Sequence, residues 1–396
     1  MRFDEWCAGQ LRDTAGRWLE ACPALGGLFL PQMDRRWQPR SRSRATLVSQ
    51  SRLLYVFARG AAHGGGRRFV RAVESGAEAL LSQFATPAGG WASSVAPDGA
   101  QIDTTFSAYG NAFSVFGLAH AYHATGDTRY REAALVTREW MRTHMRDRDG
   151  GLIPHLDAEL RDTGQIRSQN PVMHWFEALL ALGTLGGAPD ALGDARSLAE
   201  FVLTRLVRPL PGSLPRVLPE FFSADWAALP AERGGRIDVG HQFEWAYLLA
   251  RASELGLGSD LADAGSDLLS AGLALGGGAP DGAVRSPALP DGTLVDGPPG
   301  WWQQCEASRA LAHYAALRSR SDLWPRLGAL TQFCIARFID REYGGWFMTP
   351  WPDCGEAGAD KGTEWKVDYH VVGMCDEGIR LVQAGPDDAA PPGPAA

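Results

Sequence analysis

At 396 residues with 45% hydrophobic content, the chain can bury a large core, which excludes global disorder. A net charge of −8 without a block of basic residues argues against nucleic acid and anionic membranes as partners. The opening Met1-Arg-Phe-Asp-Glu-Trp6 is no secretory n-region, no window approaches about 18 uninterrupted apolar residues, and the six cysteines form no CxxC pair. A soluble cytoplasmic protein with reduced, core-packed thiols is expected.

In chain order, helical spacing runs over Phe3 to Leu19, Ala45 to Ala58, Phe69 to Phe84, and Tyr109 to Tyr122, the last stopped by Thr125-Gly-Asp127. It continues over Tyr130 to Met145, Met173 to Leu182, Ala191 to Val207 and Gly240 to Ala250. Leu261 to Leu275, Trp301 to Leu311, Leu323 to Phe338 and Tyr369 to Val382 complete the series. No comparable set of Val/Ile/Thr-rich alternating runs exists, so the fold class is all-α.

A polar residue near the start of every second helix falls at Gln50, Asn111, His174, His241, Gln303 and His370, recurring roughly every 60 to 67 residues. Three copies share a tetrad: His174-Trp-Phe-Glu177, His241-Gln-Phe-Glu244 and Gln303-Gln-Cys-Glu306. One helical hairpin per unit, stacked on its neighbours, predicts a closed (α/α)6 barrel over residues 1–383 as one domain. The inner helices would start at one rim and point their polar openers at the axis. Gly/Pro-rich connectors Leu210 to Arg236, Gly276 to Gly300 and Phe347 to Glu364 each precede an inner helix and would cover that rim. The tail 384–396 has no core-forming content and is expected to be disordered.

The rim then collects Arg52, Tyr109, Asn111, Asn170, His174, His241, Glu244, Trp301, Trp302, Gln303, Glu306, Trp365, Lys366 and His370. Fourteen tryptophans suit sugar stacking as well as core filling. The only two lysines, Lys361 and Lys366, both flank the final inner helix. His-x-x-Glu spacing can chelate zinc, but HExxH and Cys/His clusters are missing, so no metal is expected. GxSxG and phosphate-cradling glycine loops are also missing, so neither a nucleophilic serine nor a nucleotide cofactor is implied. Glu244, one turn after His241, is expected to hold that ring in one tautomer. Two imidazoles facing a Trp-lined, Arg-bearing pocket suit proton abstraction beside a carbonyl, with Arg52 stabilising the oxyanion.

The chain resembles the N-acylglucosamine 2-epimerase superfamily over nearly its whole length. The resemblance is carried by Gln50-Ser-Arg-Leu-Leu-Tyr55, Asn170-Pro-Val-Met-His174 with Glu177, and Gly240-His-Gln-Phe-Glu244. Trp301-Trp-Gln-Gln-Cys-Glu306, Asp340-Arg-Glu-Tyr-Gly-Gly-Trp-Phe347 and Trp365-Lys-Val-Asp-Tyr-His370 complete it. It implies an (α/α)6 barrel, often a homodimer, with no obligatory metal and a small-molecule sugar as partner. By position it implies His241 and His370 as the acid/base pair and Arg52 as the oxyanion and ring-oxygen contact. Asn170, His174, Glu244 and Glu306 match positions that hold hydroxyls or orient the histidines, and Trp302 and Trp365 match the stacking indoles. Gly-His-Gln-Phe-Glu-Trp is similar to free-monosaccharide members, whereas Asp-Arg-Glu-Tyr-Gly-Gly-Trp-Phe is similar to the disaccharide epimerases. A free aldose of the mannose/glucose type is the expected substrate, as epimerase or aldose–ketose isomerase.

Two other classes share such a barrel. A glycoside hydrolase or lyase would recruit carboxylates such as Asp103, Asp238, Glu244 and Glu306, but gives no reason for paired histidines. A non-catalytic sugar-binding scaffold would bind without changing the sugar.

Overall fold

The computed structural model describes residues 2–40, 44–210, 216–352 and 355–384. Beyond Ala384, the tail expected to be disordered lies outside these residues. The first hairpins comprise α1 (Phe3–Ala21), α2 (Leu47–Gly60), α3 (Arg67–Ala79), α4 (Ala108–Thr125), α5 (Thr128–Trp140) and α6 (Gln169–Thr184). The remainder are α7 (Ala191–Phe201), α8 (Val239–Glu254), α9 (Asp260–Leu275), α10 (Trp301–Leu317), α11 (Trp324–Arg337), the short α12 (Gly355–Ala359) and α13 (Tyr369–Ala384). The strands are two or three residues long, so the all-α reading holds.

Packing closes the ring. Helices α2, α4, α6, α8, α10 and α13 each touch the next, and α13 returns to α2. Each carries an outer partner, and α1 supplies the one for α13, so the first and last helices form the sixth hairpin. Inner helices are apolar nearly all round because they face both axis and outer ring: every residue of α2 from Leu47 to Ala58 is buried. Outer helices are one-faced, as in α3, where Phe69, Val73 and Ala77 point inward.

The inner helices start at one rim because side chains cap them there. Thr46, Ser107, Ser168 and Asp238 each accept a hydrogen bond from a first-turn amide of α2, α4, α6 and α8. Short antiparallel pairs build that rim, among them Arg167–Ser168 against Phe221–Phe222. Paired glycines also recur in the turns after outer helices, at 26–27, 89–90, 150–151 and 344–345. Gly150 takes φ 98°, and a Cβ on Gly151 would lie 2.2 Å from the Trp226 ring, so both positions need glycine.

Two expectations need correction here. The two lysines are fully buried struts rather than pocket groups: Lys361 Nζ meets Asp340 Oδ2 and Lys366 Nζ meets Asp368 Oδ1, both at 2.8 Å. The chain also has a local basic run: Arg35, Arg36, Arg40 and Arg44 lie in one loop. Three of them reach acids of the segment from Asp340 to Glu364, pairing Arg35 with Asp340, Arg40 with Asp360 and Arg44 with Glu364. That run laces the rim together. The five described cysteines are buried and unpaired, and Cys354 lies outside the described residues.

Candidate active site

Counting from each inner helix's first residue shows what the rim presents. Second positions hold Val48, Tyr109, Asn170, Gly240, Trp302 and His370; sixth positions hold Arg52, Phe113, His174, Glu244, Glu306 and Met374. These two sets lie one turn apart on the same faces, so they form two stacked layers around the axis. Fourth positions face away. Gln50 bonds Phe29 N, Gly27 O and Gly76 O, while Gln242 and Gln304 grip Leu218 and Val284 in the same manner.

The His174 tetrad is therefore one turn out of register with the other two. His174 is equivalent to Glu244 and Glu306, not to His241. Asn111, expected to bind substrate, belongs to the outward set: its Oδ1 accepts from Trp91 N (3.3 Å) and its Nδ2 donates to Ser107 O (2.9 Å). Its regular spacing reflects loop anchoring, which repeats as strictly as the site does.

His241 and His370 converge on one indole. The Trp302 ring lies 4.8 Å from the His241 ring and 5.5 Å from that of His370, tilted by 38° and 35°. His370 Nδ1 lies 2.7 Å from Glu306 Oε1. The carboxylate on His241 is Glu220, whose Oε2 is 2.7 Å from Nδ1. Glu244, expected in that role, is fully buried, and neither of its oxygens has a partner among the described residues. Glu244 belongs to the layer one turn further along α8, while the His241 Nδ1 edge faces the connector that carries Glu220. Glu220 sits in a Pro-rich connector without periodicity; its one sequence signal is a lone carboxylate ahead of Phe221-Phe222.

The histidines differ electrically. Burial opposes charge on His241, but Glu220 and Asp238 outweigh it and push the ring up to about 10. Burial and the Arg52 charge hold His370 well below the usual imidazole range. His174 is lowered by burial to about 4, against the pull of Glu177 at 3.1 Å, so it is a neutral hydrogen-bonding ring at pH 7. Burial, only partly offset by Arg309, lifts Glu306 to about 7.

Arg52 reaches Tyr109 OH (2.6 Å) and Trp365 O (3.0 Å), its guanidinium lying 4.2 Å over the Phe113 ring and 4.9 Å over Tyr369. Asn170 is half-buried with an unpartnered Oδ1, and Trp365 stands 56% exposed at the mouth. Beneath the layers lies Arg309, which no sequence motif signalled, beside Glu177 and Tyr369. Arg309 is 3.5 Å from Glu306 and 3.9 Å from Glu177, and the Tyr369 hydroxyl donates to Glu177. His174, Glu177 and Glu244 bring ligand atoms within 4.8 Å of one another, as do Glu244, Glu306 and His370. A divalent cation fits such donors, although His174 and His370 already spend Nδ1 on carboxylates.

The fold and the site define the class, an (α/α)6-barrel isomerase. The chain belongs to the N-acylglucosamine 2-epimerase family, whose model matches residues 27–374. The mannose-6-phosphate isomerase of Rhizobium meliloti (strain 1021) is 30% identical over 235 residues, 58% of this chain, which spans 58% of that relative's length. The D-mannose isomerase of Marinomonas mediterranea (strain ATCC 700492 / JCM 21426 / NBRC 103028 / MMB-1) is 23% identical over 347 residues, 85% of this chain and 86% of its own. Among solved structures, a D-mannose isomerase superposes with a TM-score of 0.87 at 21% identity, over 95% of this chain and 97% of the other. The cellobiose 2-epimerase from Spirochaeta thermophila DSM 6192 gives 0.84 at 23% identity, over 96% of each. At these identities the superpositions establish the fold. Among the described residues no helix is long and apolar enough to cross a membrane.

Proposed function

We propose that the protein moves a proton between C1 and C2 of a free aldose of the mannose/glucose type. The observation that carries this is the pair of imidazoles on one indole, one poised to accept a proton and the other to give one. With the sugar ring opened, neutral His370 takes the C2 proton. The C–H electron pair moves into the C1 carbonyl, and the negative charge that forms on O1 is met by Arg52. The protonated His241 then returns a proton. Delivery to the opposite face of C2 restores the C1 carbonyl and gives the epimer. Delivery to C1, with the O2 proton passing to the negatively charged O1 so that O2 becomes the carbonyl and O1 the hydroxyl, gives the ketose. Glu244, Asn170 and the neutral His174 have the free polar atoms to hold the remaining hydroxyls.

An uncharged sugar suits the mouth better than a sugar phosphate. Arg44 is engaged with Glu364 through two nitrogens, and Arg52 is engaged with Trp365 O and Tyr109 OH. The relatives named for mannose and the epimerase for cellobiose bracket the chemistry. An NMR time course with D-mannose in D2O tests it. Deuterium at C2 of glucose establishes epimerisation, and fructose labelled at C1 establishes isomerisation. No product and no exchange from mannose, glucose, N-acetylglucosamine or cellobiose overturns the reading.

A further inference from the structure

We infer that Glu220 is the positioning residue of the acid histidine, locking the His241 ring with Nδ1 towards the rim loop and Nε2 towards the sugar. This rests on the reading of His241 as a proton donor. Glu220 is 4% exposed and its carboxylate is held by three groups. Its Oε1 accepts from Ser168 Oγ at 3.0 Å, and its Oε2 accepts from Gln169 Nε2 at 2.8 Å and faces His241 Nδ1 at 2.7 Å. The backbone is fixed as well: Gln169 N donates to Glu220 O (3.2 Å) and Glu220 N donates to Arg236 O (2.9 Å).

The network assigns the tautomer. Gln169 Nε2 also lies 2.8 Å from His241 Nδ1, which leaves two readings of that nitrogen. The Gln169 amide is oriented by Trp245 Nε1, which donates to Oε1 at 2.6 Å, so Nε2 is a donor. A carboxylate accepting from both Ser168 and Gln169 is ionised, and an ionised oxygen 2.7 Å from Nδ1 requires a proton between them. Nδ1 therefore carries hydrogen and donates to Glu220. Among the described residues nothing hydrogen-bonds Nε2, which is left for the substrate.

The other charges around the ring agree in sign but not in geometry. Asp238 caps the same helix, its Oδ1 spent on Gly240 N and Ser286 Oγ, and Glu244 lies one turn along the helix without reaching the ring. From α13, His370 faces it across Trp302. Among the described residues Glu220 alone touches Nδ1 as an acceptor. The two histidines thus differ in how they are held: His370 by the barrel wall through Glu306, His241 by a loop clamped through the Arg167–Ser168 and Phe221–Phe222 pairing.

The test compares wild type with Glu220→Gln and Glu220→Asp. A general acid contributes roughly 10²- to 10⁴-fold, and loss of the carboxylate that orients it forfeits about 10- to 100-fold of that. Glu220→Gln should lower kcat by that factor with KM within about twofold, and move the alkaline limb of kcat down by at least one pH unit. Glu220→Asp should recover part of both. In parallel, 15N-histidine NMR of the sugar-free protein should show His241 titrating at lower pH in Glu220→Gln. An unmoved limb together with unchanged His241 titration overturns the proposal. If wild type turns over no aldose, the isomerase reading fails, yet the NMR comparison still decides whether Glu220 holds the ring. Should Glu220→Gln not fold, Glu220→Asp, which draws the carboxylate back from Nδ1, must shift His241 in the same direction by a smaller amount.

Discussion

Glu244 and Glu306 occupy the same level of adjacent inner helices, both fully buried, and among the described residues only Glu306 has a hydrogen-bond partner, His370. Two carboxylates so placed do not both ionise. Burial raises Glu244 well above its usual range, and the Glu306 charge raises it further. Carrying an unpartnered buried carboxyl costs stability, and polar atoms left empty this way are what a sugar's hydroxyls can fill.

That arrangement gives stability a sign with pH. A carboxyl raised in the folded state binds its proton more tightly there, so its contribution is present below the unfolded value and is lost as pH rises. For Glu306 the window runs from about 4.5 to about 7. Glu306→Gln should flatten the wild-type decline across that window, a difference of about 1–3 kcal/mol. Urea unfolding at pH 5, 6 and 7.5 measures it, and identical slopes for both proteins count against the assignment.

Arg52 is wedged between the Phe113 and Tyr369 rings while its nitrogens reach Tyr109 and Trp365. Lysine reproduces the charge but neither the planar stacking nor the fork. Arg52→Lys should therefore lose about 10²- to 10³-fold in kcat, the range for a removed oxyanion donor, with a small change in melting temperature. Steady-state kinetics beside a thermal melt decide it; a variant within threefold of wild type sinks the role.

The barrel was legible because its cause is periodic. Six apolar hairpins at even spacing, with a capping Thr, Ser or Asp or a glycine ahead of five of the inner helices, leave few ways to fold. His241, His370, Arg52, Trp302 and Glu306 were legible through motif. Asn111 was misread because loop anchors repeat with the same period as site residues. Glu220 and Arg309 were invisible for opposite reasons: one comes from an aperiodic loop, the other from a deeper turn of a helix already assigned to core. The lysines stand out by rarity, and the structure gives both a buried pairing role.

Lys366 leads to a stability prediction. Its ammonium is fully buried against Asp368, whose other oxygen accepts from Trp18 Nε1 at 3.0 Å. Asp368 takes φ 53° immediately before Tyr369 and His370, so this pair shapes the entry to the last inner helix. Lys366→Met leaves a buried charge without its partner and should cost about 3–5 kcal/mol. Denaturant unfolding checks this. A loss below about 1 kcal/mol would show that Trp18 and the backbone hold Asp368 unaided.

Trp365 is the remaining contact between mouth and solvent. Its carbonyl is fixed by Arg52 while its indole stands 56% exposed, so the backbone is anchored and the ring is free to meet a ligand. Trp365→Ala keeps the anchor and removes the ring. Its stacking is worth about 1 kcal/mol, and because the ring touches no reacting atom the loss should fall on KM, raised roughly three- to tenfold, with kcat within about twofold. A matching fall in kcat would mean that the indole closes over the reacting carbons. An unchanged KM for mannose with a raised KM for cellobiose would instead place the ring against a second sugar unit.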